Sequence, residues 1–265
     1  MEKQIQYKHK TINYKSEGKG ETLVLIHGFM EDLGMWDKHA EELSKSYQVI
    51  TIDLPGHGKT EIFGASHPMG LLADVVFEVL QAEQVNKCVM VGHSLGGYAT
   101  LAFADKYPEK LIGFGLFHSH SLEDTEEVKK NRERTIEMIN SKKASFINQF
   151  IPSLYAKANR EKLKTEINHQ IDIANKMDPK GITAALEGMK SRPMRLDVLA
   201  FSKVPVLFIF GKKDSRIALD QALAQAATAS LAQVTILGNS GHMGWLEESS
   251  KTIEAIKGFM SFCKA

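Results

Sequence analysis

Short apolar runs alternate along the chain with stretches in which apolar residues recur at the spacing of a helix. Thr22–Ile26 is a continuous apolar run, which is typical of a strand buried on both faces. In Leu72–Leu80 the apolar positions follow the 3.6-residue period of an amphipathic helix. This alternation predicts an α/β fold, with a mostly parallel sheet and helices on both of its faces.

Other segments repeat the same two patterns. Further buried strands are predicted at Gln48–Ile52, Lys87–Val91, Leu111–Phe117, Val204–Phe210 and Gln233–Leu237. Helices are predicted near Trp36–Ser44, Ser94–Lys106, Ala218–Ala229 and Glu247–Phe262. The polar-alternating segments Gln4–Lys8 and Thr11–Lys15 predict an antiparallel pair of strands at the start of the sheet.

The segment from about residue 118 to residue 197 carries helical patterns and no convincing strand. Within it, Asp178-Pro179 has the N-cap and first-turn residues that begin a helix. Both ends of the segment must rejoin neighbouring strands, so a helical domain docked elsewhere on the molecule is disfavoured. We therefore expect a helical cap at 118–197 over the C-terminal edge of the sheet, and an α/β core formed by 1–117 and 198–265.

Composition and charge exclude several classes of function. The 33 Lys and Arg residues balance 32 Asp and Glu residues, so no basic footprint for nucleic acid or an anionic membrane is present. No apolar run approaches the ~20 residues that span a bilayer, and Met1–Lys8 lacks the apolar core of a signal peptide. Cys88 and Cys263 form neither a CxxC pair nor a disulfide framework. We expect a soluble, cytoplasmic protein.

A serine stands at the end of one predicted strand with a glycine two residues to either side. Gly92, Ser94 and Gly96 directly follow the run Lys87–Val91, and a helix begins at once. This Gly-x-Ser-x-Gly pattern is that of a nucleophile elbow, in which a strained turn holds the hydroxyl up at the top of the sheet. The alternative, that Ser94 is a simple helix N-cap, depends on whether a base and an acid accompany it.

Two residues of the required types follow at the ends of later strands. Asp214 comes just after Val204–Phe210, and His242 comes just after Gln233–Leu237. The order serine, acid, histidine is the one used with this elbow. Because the carboxyl ends of parallel strands meet at one edge of a sheet, the three side chains can converge there. Their placement disfavours the N-cap interpretation of Ser94.

With two further loop motifs, the chain resembles the α/β-hydrolase superfamily in its compact, capped, esterase-like form. The motifs are His27-Gly28-Phe29 and Asp53–Gly58, and the resemblance covers nearly the whole chain. It implies the α/β-hydrolase fold with an inserted helical cap. It also implies a catalytic triad of the serine, aspartate and histidine named above, with an oxyanion hole formed by the backbone N–H groups of Phe29 and Leu95.

The acid of the predicted triad could come from either of two places in the chain. Some members of the family take it from the corner after the sixth strand, where this chain has His118-Ser119-His120 instead of a carboxylate. This favours Asp214, with Glu123 and Asp124 as the fallbacks. His118 and His120 could also suit a metal, but no cluster of cysteine, histidine and carboxylate ligands surrounds them, so no metal is predicted.

Residues that flank the predicted catalytic groups indicate an apolar acyl site. Met30, His118 and Met243 are predicted to line the substrate pocket. By the same resemblance, His27 orders the oxyanion loop and His93 packs beneath the nucleophile. Cap residues that either roof the pocket or pack within the cap are Phe146, Phe150, Met177 and Met189.

These observations predict a serine hydrolase that cleaves a small carboxylic ester, or a related acyl compound, through an acyl-enzyme on Ser94. No cofactor is implied, the expected partner is a small-molecule acyl substrate, and the oligomeric state is left open. Cleavage of a C–C bond, thioester hydrolysis and perhydrolysis on the same triad are the alternatives, as is a small-molecule receptor with a vestigial triad. Dehalogenases and epoxide hydrolases use an aspartate where this chain has Ser94, which disfavours them.

Overall fold

The computed structural model describes residues 2–263, and within them eight strands form one sheet. The strands are β1 (Glu2–Tyr7), β2 (Lys10–Glu17), β3 (Thr22–Ile26), β4 (Gln48–Ile52), β5 (Cys88–His93), β6 (Leu111–Phe117), β7 (Val206–Gly211) and β8 (Ala232–Leu237). Their spatial order is β1-β2-β4-β3-β5-β6-β7-β8. The pairs β1–β2 and β2–β4 are antiparallel and all the others are parallel, so the predicted opening pair and the mostly parallel sheet are confirmed.

Helices cover both faces of this sheet. They are α1 (Asp37–Leu43), α2 (Met69–Ala82), α3 (Leu95–Lys106), α4 (Glu126–Leu154), α5 (Lys164–Lys176), α6 (Pro179–Lys190), α7 (Leu196–Ala200), α8 (Leu219–Ala226), α9 (Gly244–Glu247) and α10 (Ser249–Phe262). Helices α2 and α3 pack together as one pair, and α1 and α10 as another. Every residue of β3 and β5 is buried, as expected for central strands that are covered on both sides.

The last strand departs from the predicted pattern. Gln233–Leu237 was expected to be buried on both faces, but Val234 is 40% exposed and Ile236 is 45% exposed. The reason is topological, because β8 pairs with β7 only and forms the edge of the sheet. An apolar run therefore does not distinguish an edge strand from a central one.

Three long helices are inserted between β6 and β7, which are neighbours in the sheet. Helix α4 packs against both α5 and α6. As predicted, Asp178 caps α6, and its carboxylate accepts a hydrogen bond from the backbone N–H of Lys180 at 2.8 Å. The expected boundary at residue 197 falls inside α7, which contacts α3 and α8 of the core.

The sequence predicts no membrane-spanning segment. None of the helices within residues 2–263 is both long enough and apolar enough to cross a membrane.

Candidate active site

Ser94 occupies a backbone corner that requires its two flanking glycines. It lies between β5 and α3 with φ +50° and ψ −109°, a conformation that costs a non-glycine residue on the order of 1–3 kcal/mol. A Cβ on Gly92 would lie 2.1 Å from the carbonyl oxygen of Gly96. A Cβ on Gly96 would lie 2.4 Å from the carbonyl oxygen of Ile26. Only glycine fits at both places, which explains the Gly-x-Ser-x-Gly spacing.

The structure brings the predicted serine, histidine and aspartate together. His242 Nε2 lies 3.0 Å from Ser94 Oγ, and His242 Nδ1 lies 2.8 Å from Asp214 Oδ2. Asp214 follows β7 and His242 follows β8, so each loop starts at the carboxyl end of its strand. The other carboxylate oxygen, Asp214 Oδ1, accepts the backbone N–H groups of Arg216 and Ile217 at 2.7 and 3.2 Å. These bonds fix the orientation of the carboxylate toward His242.

Asp214 is ionised in this arrangement. Burial by itself would raise the pKa of its carboxyl group. The charge of His242 and the hydrogen bonds from His118 and His242 outweigh burial and hold the pKa well below its ordinary value. The site therefore places a fixed negative charge next to the Nδ1 atom of His242.

His118 does not line the pocket, which corrects the sequence-based expectation. It is fully buried, and its Nδ1 lies 2.9 Å from Asp214 Oδ2, the same oxygen that binds His242. The left-handed backbone at His118, with φ +47°, accompanies this inward orientation at the end of β6. Burial lowers the pKa of His118 to about 4, so its neutral ring donates Nδ1–H and steadies the acid.

The other candidates for the acid lie elsewhere. Glu123 is exposed on the wall of the cavity, and Asp124 is ion-paired with Arg132 and Arg192. His120 is hydrogen-bonded to Tyr98, with its Nε2 atom 3.0 Å from the hydroxyl oxygen. Neither fallback carboxylate is hydrogen-bonded to the histidine of the triad within the described residues.

One group of side chains in the described part of the chain has the ligand types and spacing of a metal site. It consists of His118, Asp214 and His242, whose ligand atoms lie within 4.8 Å of one another. Both imidazole Nδ1 atoms already point at Asp214 Oδ2. Hydrogen bonds therefore occupy the ligand atoms that a metal ion would need, and the group is better described as the acid with its two donors.

The sequence did not predict the buried ion pair that lies next to Ser94. Glu31 Oε2 accepts the backbone N–H of Gly28 at 2.5 Å and lies 2.9 Å from His93 Nδ1. His93 Nε2 donates in turn to the carbonyl oxygen of His242 at 2.8 Å. One chain of hydrogen bonds thus ties together the oxyanion loop, the elbow and the loop of the base. The expectation that His93 packs beneath the nucleophile agrees with this position.

The protonation states of Glu31 and His93 follow from their pairing. Burial raises the pKa of the Glu31 carboxyl and lowers that of the His93 imidazole. The attraction between the two groups and their shared hydrogen bond outweigh burial, so the pKa of Glu31 is lowered and the pKa of His93 is raised. Both groups are therefore charged inside the protein.

We expect Glu31→Gln to lower the free energy of unfolding by about 3 kcal/mol, because it leaves the His93 charge buried without its partner. His93 contributes fully below its ordinary pKa of 6.5 and loses its contribution as the pH rises through its higher folded pKa. Glu31 contributes fully above its ordinary pKa of 4.5 and loses its contribution as the pH falls. The difference in the free energy of unfolding between the wild-type protein and Glu31→Gln should therefore be largest between pH 4.5 and pH 6.5. Urea unfolding at several pH values measures it.

A matched control is available in the exposed ion pair of Lys164 and Glu161. Glu161→Gln should change stability little at any pH, because water screens that pair. If Glu31→Gln behaves like Glu161→Gln, the buried pair does not hold the loops together.

The substrate cavity has a volume of about 480 Å³ and contains Ser94 and His242 in its wall. Its size falls in the range that encloses a small molecule. Of the cap residues considered from sequence, Phe146, Phe150 and Met189 line the cavity, whereas Met177 is not among its lining residues. The ring of Phe150 meets that of Phe29 edge to face, with centroids 6.3 Å apart. Residues of the inserted helix α4 and of the loop after β3 therefore enclose the cavity together.

Met30 and Met243 are both predicted to line the pocket, and the structure places only Met243 there. Met243 lines the cavity as expected. Met30 does not, because its side chain is fully buried in the hydrophobic core. Its backbone has φ +61°, so the chain turns at this residue and its neighbours Phe29 and Glu31 face the cavity instead. A position beside a catalytic group in sequence is thus not a position beside it in space.

Comparison with known proteins gives the same architecture. A family model described as the alpha/beta hydrolase fold matches residues 21–116. A thermophilic esterase from Thermogutta terrifontis, solved with malate bound, is 27% identical, superposes with a TM-score of 0.94, and covers 100% of both chains. A pimeloyl-[acyl-carrier protein] methyl ester esterase from Pseudoalteromonas atlantica is 26% identical over 91% of this chain and 95% of its own length.

A further relative is longer than this chain. It is the dihydrolipoyllysine-residue acetyltransferase component of the acetoin cleaving system of Pseudomonas putida, 26% identical over 92% of this chain. The chain spans 64% of that protein's length.

Together, the sheet, the covering helices and these matches define an α/β-hydrolase fold. The chain is similar over most of its length to esterases, one of which superposes with this fold. The predicted fold is confirmed, and the predicted class of enzyme agrees with these relatives.

Proposed function

We propose that this enzyme is a serine hydrolase that cleaves a small carboxylic ester through an acyl-enzyme on Ser94. The observation that carries the proposal is the continuous hydrogen-bonded relay from Ser94 through His242 to the ionised Asp214, with Ser94 in the wall of a cavity. A nucleophile, a base and an orienting acid in this order are the parts that acyl transfer requires.

The first half of the reaction forms the acyl-enzyme. Ser94 Oγ attacks the ester carbonyl carbon while His242 Nε2 takes the hydroxyl proton. The carbonyl π electrons move to oxygen and give a tetrahedral oxyanion. When this collapses, the bond to the alcohol oxygen breaks and His242 returns the proton to the leaving alkoxide. Asp214 stabilises the imidazolium that exists between these two transfers.

The second half releases the acid. Water enters, His242 takes one of its protons, and the resulting hydroxide equivalent attacks the acyl carbon. Collapse of the second tetrahedral intermediate breaks the bond to Ser94 Oγ, and His242 returns the proton to that oxygen. The products are one carboxylic acid and one alcohol, and the enzyme is restored.

Backbone N–H groups of Phe29 and Leu95 are proposed to bind the oxyanion. Leu95 is the first residue of α3, where a helix offers no acceptor within itself for the N–H group. Phe29 lies in the loop that Glu31 anchors through Gly28. Removing one such donor from a serine hydrolase costs about 3 kcal/mol of transition-state stabilisation.

The class of substrate follows from the cavity and from the relatives. The aromatic wall of Phe29, Phe146 and Phe150 suits an apolar acyl or alcohol group of limited length. Two of the relatives described above are esterases by name. We transfer from them the ester class and not the individual substrates.

We expect 4-nitrophenyl acetate and butyrate to be hydrolysed at least about 10-fold faster, in kcat/KM, than the palmitate ester, because a cavity of this size excludes a sixteen-carbon chain. Steady-state hydrolysis by the purified protein gives the comparison. Strong activity on emulsified long-chain triglyceride, with activation at the oil surface, would contradict the small pocket.

The same experiment separates the alternatives. A receptor with a vestigial triad would release one equivalent of nitrophenol and then stop, whereas an esterase continues to turn over. Faster cleavage of a thioester or of a 1,5-diketone than of any ester would move the proposal to those chemistries on the same triad.

We also propose a cytoplasmic location. The support comes from cysteine chemistry, because Cys88 and Cys263 are both unpaired. Reducing compartments keep thiols in this state. Cell fractionation should recover the native protein in the cytosolic fraction. Recovery in the membrane or secreted fraction would contradict this proposal.

A further inference from the structure

A cluster of two arginines and one aspartate forms part of the wall of the substrate cavity, away from the triad. Asp124 and Arg192 are each 5% exposed, and Arg192 Nη1 donates to Asp124 Oδ1 at 2.6 Å. Arg132, which extends from α4, donates to Asp124 Oδ2 through Nε and to Oδ1 through Nη2 at 3.2 Å. We call these three residues the arginine cluster. Arg132 and Asp124 line the same cavity as Ser94.

The arginine cluster carries more positive than negative charge. Burial raises the pKa of Asp124, but the hydrogen bond and charge of Arg132, together with Arg192, outweigh it and leave the pKa below its ordinary value. The carboxylate is therefore ionised and neutralises one of the two guanidinium groups. Arg192 also lies 4.0 Å over the ring of Tyr98. The remaining positive charge is partly buried, where it is costly unless an anion approaches it.

Arg132 is the member of the cluster that can meet a ligand. Its side chain is 18% exposed, compared with 3% for Arg192, and it borders the cavity. Its Nη1 donates only to the sulfur of Met189 at 3.4 Å, and thioether sulfur is a weak acceptor. Hydrogen atoms on Nη1 and Nη2 thus remain available for a stronger acceptor.

The other charged groups of the cavity have partners or solvent of their own. Glu31 is paired with His93, and Glu123 is exposed to water. Arg216 is stacked on Phe150 at 4.8 Å and donates to the hydroxyl of Ser153. Arg132 and Arg216 are thus the two guanidinium groups in the described cavity wall, and of these Arg132 is the one held in place by a carboxylate, that of Asp124.

His120 does not add to this charge. Burial, followed by the charge of Arg192, lowers its pKa to about 4, so the ring is neutral near pH 7. It bonds to Tyr98 and accepts the backbone N–H of Leu122 at 3.2 Å. The anion-attracting part of the wall is thus a guanidinium that keeps its charge at all relevant pH values.

We propose that the arginine cluster is a carboxylate subsite, and that the preferred substrates are esters with a free carboxylate at the end remote from the ester bond. Half-esters of short dicarboxylic acids have this chemistry. A planar guanidinium binds carboxylate through two parallel hydrogen bonds, which gives orientation as well as affinity. This inference rests on the proposed function, because it names the substrates of that same site.

The test compares two esters that differ only in the remote group. They are 4-nitrophenyl hydrogen glutarate, which carries a carboxylate, and methyl 4-nitrophenyl glutarate, in which that group is neutral. We expect the wild-type kcat/KM to favour the anionic ester. Arg132→Met should lower the ratio of anionic to neutral kcat/KM by about 10–100-fold, the usual loss for one charged hydrogen-bonding partner. Asp124 keeps Arg192 in this variant, so the buried ion pair is retained.

Arg134→Met is the matched control. Arg134 lies on the same helix but is exposed, and its guanidinium donates to the side chain of Asn131 at 3.1 Å. The ratio should be unchanged in this variant. A ratio that Arg132→Met leaves unchanged, or a wild-type enzyme that does not distinguish the two esters, would overturn the carboxylate subsite.

A binding measurement separates failure of this inference from failure of the proposed function. Calorimetric titration of Ser94→Ala with monomethyl glutarate and with dimethyl glutarate measures binding without hydrolysis of either ester. Preferential binding of the monoester, lost when Arg132→Met is added to Ser94→Ala, supports the subsite even if neither nitrophenyl ester is cleaved by the wild-type enzyme. Equal binding of both compounds overturns it, even if both nitrophenyl esters are good substrates.

Discussion

Replacing Ser94 with alanine is expected to lower kcat for a short-chain ester by about 10⁵–10⁶-fold, close to the loss known for the nucleophile of a serine protease. The variant keeps the cavity, the proposed oxyanion donors and the His242–Asp214 pair, but it lacks the oxygen atom proposed to form the acyl-enzyme. Steady-state hydrolysis of 4-nitrophenyl butyrate measures the loss. Residual activity should come from binding and oxyanion stabilisation alone.

Covalent labelling provides the control for this substitution. A fluorophosphonate probe should label the wild-type protein at Ser94, because the hydroxyl lies beside a base. Ser215 lines the same cavity, but its hydroxyl donates to the carbonyl of Ser153. Ser215→Ala should therefore label normally. Undiminished labelling of Ser94→Ala would show that another residue is the nucleophile.

Changing Asp214 to asparagine should lower kcat by about 10²–10⁴-fold while the fold is retained. The structure explains the loss through hydrogen-bond directions. Asp214 Oδ1 accepts two backbone N–H groups, so the amide oxygen of asparagine would take this position. The amide NH₂ would then face His118 and His242. Nδ1 of His242 would then have to accept a hydrogen bond from this amide. The proton of the neutral ring would therefore lie on Nε2, facing Ser94.

Two measurements decide whether Asp214 has this role. The kcat of Asp214→Asn is compared with that of Glu123→Gln, in which an exposed carboxylate on the cavity wall is removed. Glu123→Gln should be nearly silent, and circular dichroism should show that both variants are folded. If Asp214→Asn keeps most of its turnover while Glu123→Gln loses it, the acid comes from the junction of β6 and the cap.

The parts of this structure that the sequence predicted are those encoded by local pattern. A buried strand such as β3 is a continuous apolar run, and the elbow at Ser94 requires glycines at fixed spacing. The ends of parallel strands must share one edge of the sheet, so the positions of Asp214 and His242 follow once the strands are known. Local chemistry and topology were sufficient for these features.

The supporting contacts could not be predicted in the same way. His118 meets Asp214 across 96 positions of sequence, and Glu31 meets His93 across 62. No spacing rule connects residues so far apart in sequence. The identity of an acidic residue also does not show whether its carboxylate is buried or exposed. Glu31 could have been suspected only from its place in the loop after β3, three residues from the glycine that it anchors.

The place at which α4, α5 and α6 enter the chain has a consequence for how such an enzyme can diversify. The whole insertion leaves the sheet after β6 and returns before β7, two strands that lie side by side. It carries Arg132 and the aromatic residues Phe146 and Phe150 of the cavity wall, but neither Ser94 nor His242. Recombination at the two ends of this insertion would therefore replace its part of the cavity wall as one unit. Ser94, Asp214 and His242 would stay in place. Swapping this stretch between related chains is a natural route to new specificities.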